Sequence, residues 1–424
     1  MLTGKHILRR LAAVALLASL ALAGAATGVA APACTVIAGG LANPRGVLVA
    51  DDGSVYVAEG GTGGTEKLPP APEAGPDQPP ATRGLTGKIT RIAPDGAKTT
   101  VAANLPSFSS GSGPTSLVLA GGFLWVTIGG AGNGMVNVAG YTPLADEAAL
   151  VKIDPRTGAA TKVADLGAYE VAHNPDGVQK DTNPWGLALG PDGTLYATDA
   201  GGNDLLRVNP ANGQIAVAAV FPGQPGPQPN PARGGQRLTD PVPTGVVAAA
   251  DGTVDVGLLP GGPPIPGRAK VVAVAPNGTQ RDAATGLTYV VFLALGPDQQ
   301  LYATELLSGT DAAQHALPGR VVRLAADGTS QVAVDNLPFP GGIAFDQAGD
   351  LYVATNITTF GPPPAAPQGR LLRCAGVATT AMPGLPNTGR GGGRAPRSPL
   401  APLGLAALLG AGLAGLGLAR RRAA

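Results

Sequence analysis

The chain has 424 residues and a formal net charge of +1. Three of its 29 Lys and Arg fall in the first 31 residues and six after Thr388. Neither segment holds an acid, so the stretch between carries 20 basic residues against 28 acidic, a net charge of −8. That charge argues against nucleic acid or an anionic membrane surface as partner, and two cysteines are too few to build a usual zinc site alone.

The first predicted element is a leader. Lys5, Arg9 and Arg10 precede the uncharged run Leu11 to Ala25, and small residues follow up to Cys34. This is the three-part pattern of a secretory signal peptide over residues 1–31, with cleavage expected between Ala25 and Ala33. Lipidation of Cys34 is not expected, because Ala31 stands three residues before it and Pro32 follows.

A short strand, CTVIAGGL (Cys34 to Leu41), opens the exported part with no strand before it to pair with. After it a two-part unit recurs. Its first half reads GVLVADDGSVYVAE (from Gly46), SLVLAGGFLWVTI (from Ser116), GLALGPDGTLYATD (from Gly186), GVVAAADGTVDVGL (from Gly245), FLALGPDQQLYATE (from Phe292) and GIAFDQAGDLYVAT (from Gly342). Each is two alternating apolar strands around a short turn, mostly rich in Asp and Gly. Second halves such as GKITRIAPDGAKTTVAANL and GRVVRLAADGTSQVAVDNL add two more strands. Four antiparallel strands per unit make a propeller blade, so the expected fold is all-β, a six-bladed β-propeller over residues 34–374.

The sixth unit stops one strand short, after GRLLRC (Gly369 to Cys374). CTVIAGGL matches KTTVAANL, the fourth strand of the first unit. The N-terminal strand is therefore predicted to complete blade six and remove an exposed sheet edge. In that register Cys34 and Cys374 face each other across paired strands, which predicts a disulfide in an exported chain.

Turns within each half-unit are short, whereas the long insertions join strands two and three or neighbouring blades, which places them on one face. Cys374 ends a strand on the opposite face. Acids end the second strand of blades one, three and five: Glu59, Asp199 and Glu305. A denser polar patch in blade three adds Glu170, Asn174, Asp176, Asn183, Asn203 and Asp204. Oxygen ligands of this kind suit a hard cation such as calcium. The competing reading makes them turn formers and acceptors for glycine-rich loops. His173 and His315 both fall in loop-face segments. No nucleophile elbow, P-loop or dinucleotide fingerprint is present, and no catalytic residues are assigned.

The stretches YEVAHNPDG, NPWGLALGPDGTLYATDAGGNDLLRV and PVPTGV resemble the ScyD/ScyE family of exported propellers over most of Gly39 to Arg373. The resemblance implies the same fold and export, and brings no catalytic residues with it.

A tether, residues 375–384, leads to LPNTG at Leu385 to Gly389, then an uncharged stretch and Arg420 to Arg422. This resembles a sortase-type cell-wall sorting signal over residues 385–424. It implies cleavage between Thr388 and Gly389, with sortase and a wall polymer as partners and the membrane met only through the cleavable segment. The expected function is a secreted, surface-anchored propeller that binds an extracellular small molecule or protein, or acts as a scaffold, through its loop face. The alternative is a calcium-dependent lactonase- or esterase-like hydrolase.

Overall fold

The computed structural model describes residues 32–72, 81–262, 265–311, 315–358 and 367–378. The expected signal peptide and the sorting signal, with Thr388 and Gly389, lie outside the described residues. No helix among the described residues is long and apolar enough to cross a membrane.

Six four-stranded antiparallel sheets form a β-propeller, each ordered from the inner strand outward. Blade one is Pro44–Val49, Val55–Glu59, Thr82–Ile92 and Lys98–Phe108, with the two-residue strand Glu66–Lys67 added at one end. Blade two is Pro114–Ala120, Phe123–Ile128, Ala149–Ile153 and Ala160–Asp165. Blade three is Pro184–Leu189, Leu195–Asp199, Asp204–Val208 and Ile215–Val220. Blade four is Pro243–Ala248, Val254–Leu258, Ala269–Val274 and Gln280–Leu287. Blade five is Val290–Leu295, Leu301–Glu305, Gly319–Leu324 and Ser330–Leu337.

Blade six takes Ile343–Phe345, Leu351–Thr355 and Gly369–Cys374 from the end of the propeller, and Cys34–Leu41 from its start. The N-terminal strand pairs with Gly369–Cys374, with Cys34 opposite Cys374, and a disulfide joins the two. The expected closure and bridge are both present.

Local chemistry explains the repeat. In the turns between strands one and two, the carboxylates of Asp52, Asp192 and Asp251 accept the backbone N–H two residues on, from Ser54, Thr194 and Thr253. The intervening Gly53, Gly193 and Gly252 have positive φ, which a glycine adopts without a steric penalty. Four inner strands begin with proline, at Pro44, Pro114, Pro184 and Pro243. Each stands at the first position of a strand whose other edge faces the propeller axis unpaired, both places where a residue without an N–H is tolerated. Gly46 lets the inner strands crowd together, since a Cβ there would stand 2.6 Å from the Thr115 carbonyl of the next blade.

The core lies between blades. Ile89 and Leu105 of blade one pack with Leu124 and Val126 of blade two, and equivalent layers recur around the ring. Aromatic contacts are few; Tyr302 meets Phe345 with ring centres 4.6 Å apart. At the axis three alternate blades meet. The Arg45 guanidinium of blade one lies 4.4 Å from the centre of the Trp185 ring of blade three, and the Trp185 indole donates to the Val291 carbonyl of blade five at 3.0 Å.

Two loop segments carry structure that strand periodicity does not reveal. Leu166–His173 is a helix, capped by Asp165 and ended by Asn174 in the left-handed region. Gln224–Asn230 and Gln236–Thr239 pair as a two-stranded ribbon. Both sit on the long-loop face. The chain's last described residues lie at the opposite end, where Gly376 N–H donates to Asp350 and Ala378 N–H to the Gly349 carbonyl.

The bridge spans 340 residues, so its loss should release much loop entropy in the unfolded chain. Replacing both cysteines by serine is expected to lower unfolding stability by about 2–5 kcal/mol, read by denaturant titration. An unchanged midpoint and slope would show that strand pairing alone holds the ring.

Candidate functional site

Where the second strand of a blade ends and the third begins, two residues stand directly opposite each other at the loop face. In blade one they are Glu59 and Lys88, and in blade five Glu305 and Arg320. Blade four places Leu258 against Lys270, blade six Thr355 against Arg370, and blade two Ile128 against Ala149. Four of the six blades thus supply a lysine or arginine at this point. Blade three supplies an acid: Asp199 faces Asp204. Like charges directly opposite one another destabilise a sheet.

The three acids at the strand ends have structural partners. Glu59 accepts the Ala42 N–H at 2.6 Å and the Thr90 hydroxyl, with Lys88 Nζ 3.5 Å away. Glu305 accepts the Thr288 N–H at 2.6 Å and an N–H of Arg320. Asp199 accepts the Thr182 hydroxyl at 2.6 Å and the N–H groups of Asn183, Gly201 and Gly202 at 2.7, 3.0 and 3.1 Å. Each acid ties the connection arriving from the preceding blade to its own second strand. Glu59 and Glu305 belong to separate corners and join no common site with Asp199.

Around Asp199 the structure assembles most of the polar patch. Glu170 comes from the helix Leu166–His173, and Gly202 leaves it room: a Cβ there would stand 3.2 Å from Glu170 Oε2 and 3.4 Å from Asp199 Cγ. The Asn174 amide, oriented to donate, bridges Glu170 Oε1 at 3.2 Å and Asp176 Oδ1 at 3.1 Å. Asn203 donates to Asp176 Oδ2 at 2.9 Å. Asn183 instead turns to the junction with blade two, its Oδ1 accepting from the Ser112 hydroxyl at 3.1 Å. Asp204 is 1% exposed and its Oδ1 accepts no hydrogen bond among the described residues.

Two members are absent from the sequence-derived set. Asp181 accepts N–H groups from Gly134 and Thr182, and it lies inside the same polar stretch, so its acidity was visible. Arg233, on the ribbon, comes within 3.9 Å of Asp176 and binds Asp240 more closely. Nothing local in the sequence marks that approach. The histidines stand apart in role: His173 Nδ1 is 2.9 Å from the Tyr169 carbonyl with its ring stacked on Tyr169, and His315 Nδ1 is 3.1 Å from Asp311.

Burial dominates the electrostatics. It pushes the Glu170 carboxyl up to about 8, helped by the charges of Asp199 and Asp176. It raises Asp204 well above the carboxylate range, with Asp199, Glu170 and Asp176 adding to it. Asp176, Asp181 and Asp199 rise for the same primary reason. Among the described residues no three His, Cys, Asp or Glu side chains converge as a group fit to hold a metal ion. The acids form an electronegative corner and not a finished cage for calcium.

A raised carboxyl holds its proton in the folded state after the unfolded chain has released it. Its contribution is full below the ordinary carboxylate range and is lost as pH climbs through the folded value. Melting temperature is therefore expected to fall between pH 5 and 8, and the slope to flatten in Glu170→Gln. A melting temperature that rises over this interval in the parent protein would contradict the assignment.

No protein-family model matches the chain, and no curated protein does. Solved structures resemble it in shape. A Thermus thermophilus protein assigned as an oxidoreductase (glucose dehydrogenase) has 17% identity and a TM-score of 0.50, covering 81% of this chain and 99% of that one. Aldose sugar dehydrogenase from Streptomyces coelicolor, in its PQQ-bound form, has 16% identity over 81% of this chain and 99% of its own, with a TM-score of 0.47. A streptogramin B lyase has 14% identity over 80% and 96%, with a TM-score of 0.45. At these identities the likeness is one of fold, and the chain is a β-propeller whose chemistry must be read from its own residues.

Proposed function

We propose that this chain is an exported propeller, displayed at the cell surface, that binds an extracellular ligand on its long-loop face, with the acidic corner of blade three receiving a cation or a cationic group of that ligand. The charge inversion at Asp204 carries the reading. Four other blades fill the equivalent position with their own lysine or arginine, and blade three leaves a buried, unpaired carboxylate oxygen there. A buried carboxylate without a partner is costly, and a cation from outside would supply what Lys88 and Arg320 supply elsewhere.

Two further observations support display of that face. The long connections gather there, and the last described residues pack on the opposite face. The LPNTG tail would then hold the short-turn face toward the wall and present the loops outward, with sortase making the bond at Thr388. Calcium is the hard cation to try first. Oxygen ligands suit it, and it would meet the unpaired Asp204 carboxyl at the corner, with water completing most of its shell.

The test is a melting curve in EDTA and then with calcium added, for the parent and for Asp204→Lys. The parent should gain several degrees with calcium at pH 8 and less at pH 5.5, where the acids keep their protons. Asp204→Lys should melt higher than the parent in EDTA, because it creates opposite Asp199 the ion pair that blades one and five have, and should lose the calcium response. A parent insensitive to calcium, together with Asp204→Lys that melts lower, would remove the basis of the proposal.

A further inference from the structure

Arg45 lies at the meeting point of the inner strands, and it is 2% exposed. Its Nε and Nη1 are buried and donate to no acceptor among the described residues. The ring of Trp185 covers one face of the guanidinium. That contact satisfies the π face and leaves the in-plane N–H groups unspent. No carboxylate among the described residues compensates the charge: burial alone perturbs the group, and it lowers Arg45 only to about 10, so the side chain stays charged at neutral pH. The cations beside buried acids elsewhere in the ring form pairs, as Arg320 does with Glu305 and Lys88 with Glu59.

Two glycines pack beside the guanidinium, next to the Asn43 amide. A Cβ on Gly60 would stand 3.3 Å from Arg45 Nε, and a Cβ on Gly111 would stand 3.2 Å from Nη2. These glycines come from two different connections of the loop face, the one between strands two and three of blade one and the one leading to blade two. Bare backbone there keeps the polar edge of the guanidinium free of apolar cover. A lone buried cation is a destabilising arrangement in a ligand-free protein.

We infer that the loop-side end of the propeller axis is a binding site for a compact monoanion, a carboxylate group or a halide, held in plane along the edge of Arg45 that carries Nε–H and Nη2–H, against the Trp185 ring. The inference rests on the loop face being the binding face and does not depend on the blade-three acids. The anion fits the donors of a planar guanidinium, and a carboxylate would use two of them side by side.

The test uses the full chain carrying Trp125→Phe, so that Trp185 is its one tryptophan. Its fluorescence is followed in a zwitterionic buffer free of halide and carboxylate while sodium acetate, sodium chloride or sodium phosphate is added. A saturable change with acetate or chloride is expected, and which of the two binds more tightly identifies the natural class. Arg45→Lys should weaken it about tenfold, as expected for loss of a charge-assisted fork, and Arg45→Met should abolish it. Melted without anion, Arg45→Met should be at least as stable as the parent, because it removes an uncompensated buried charge. The inference fails if neither acetate nor chloride gives a saturable signal, if phosphate alone does, or if Arg45→Met responds like the parent. A response to acetate in Asp204→Lys would keep this site whatever the fate of the blade-three corner.

Discussion

The rest of the structure depends on one pairing, that of Cys34–Leu41 with Gly369–Cys374. A propeller blade is stable only when both of its faces meet a neighbour, and the first and last blades find each other only when the ring is closed. Here the closing element is a strand from the start of the chain serving as the outermost strand of the last blade. It covers what would be an open sheet edge, and the covalent bridge turns the ring into a loop that cannot drift open. Closure also has a consequence at the axis. Arg45, Trp185 and Val291 come from blades one, three and five, and they touch only because the inner strands converge.

The ring sets a pattern against which exceptions can be read. At the loop-side end of each blade the same two positions meet across the same pair of strands, so a residue has five structural counterparts in its own molecule. Lysine and arginine at Lys88, Lys270, Arg320 and Arg370 define a local habit, and Asp204 departs from it. Comparison among blades thus does part of the work that homologous sequences would do. The departure occurs beside a helix that brings Glu170 into the corner and beside a glycine pair that gives Asp199 two backbone donors. Asp199 is thereby partnered on both oxygens while Asp204 is not, so the two facing acids differ in how far the fold itself satisfies them.

Much of this was legible in the sequence. The recurring Asp-Gly turns, the alternating strands and the missing twenty-fourth strand led to blade number, closure and disulfide, because all three follow from period-two patterning and from counting. The polar patch of blade three was legible too, since its residues cluster in two short stretches. Its meaning was not. Asp204 stands where Lys88 stands in GKITRI, but an alignment made for apolar positions passes over that column. Arg45 was missed for a different reason: its isolation comes from three blades converging at the axis, which no local pattern records. The helix Leu166–His173 escaped because eight residues beside Asn and Pro read as a loop.

Ring closure is tested most directly by hydrogen exchange across the N-terminal strand with the disulfide intact. Slow exchange is expected for the amides of Val36 to Leu41 that pair with blade six, comparable to that of the outermost strands Gln280–Leu287 and Ser330–Leu337. Exchange at the rate of unstructured chain in that segment, with Ser330–Leu337 protected, would mean that the strand does not close the ring, and the convergence of Arg45, Trp185 and Val291 at the axis would lose its foundation.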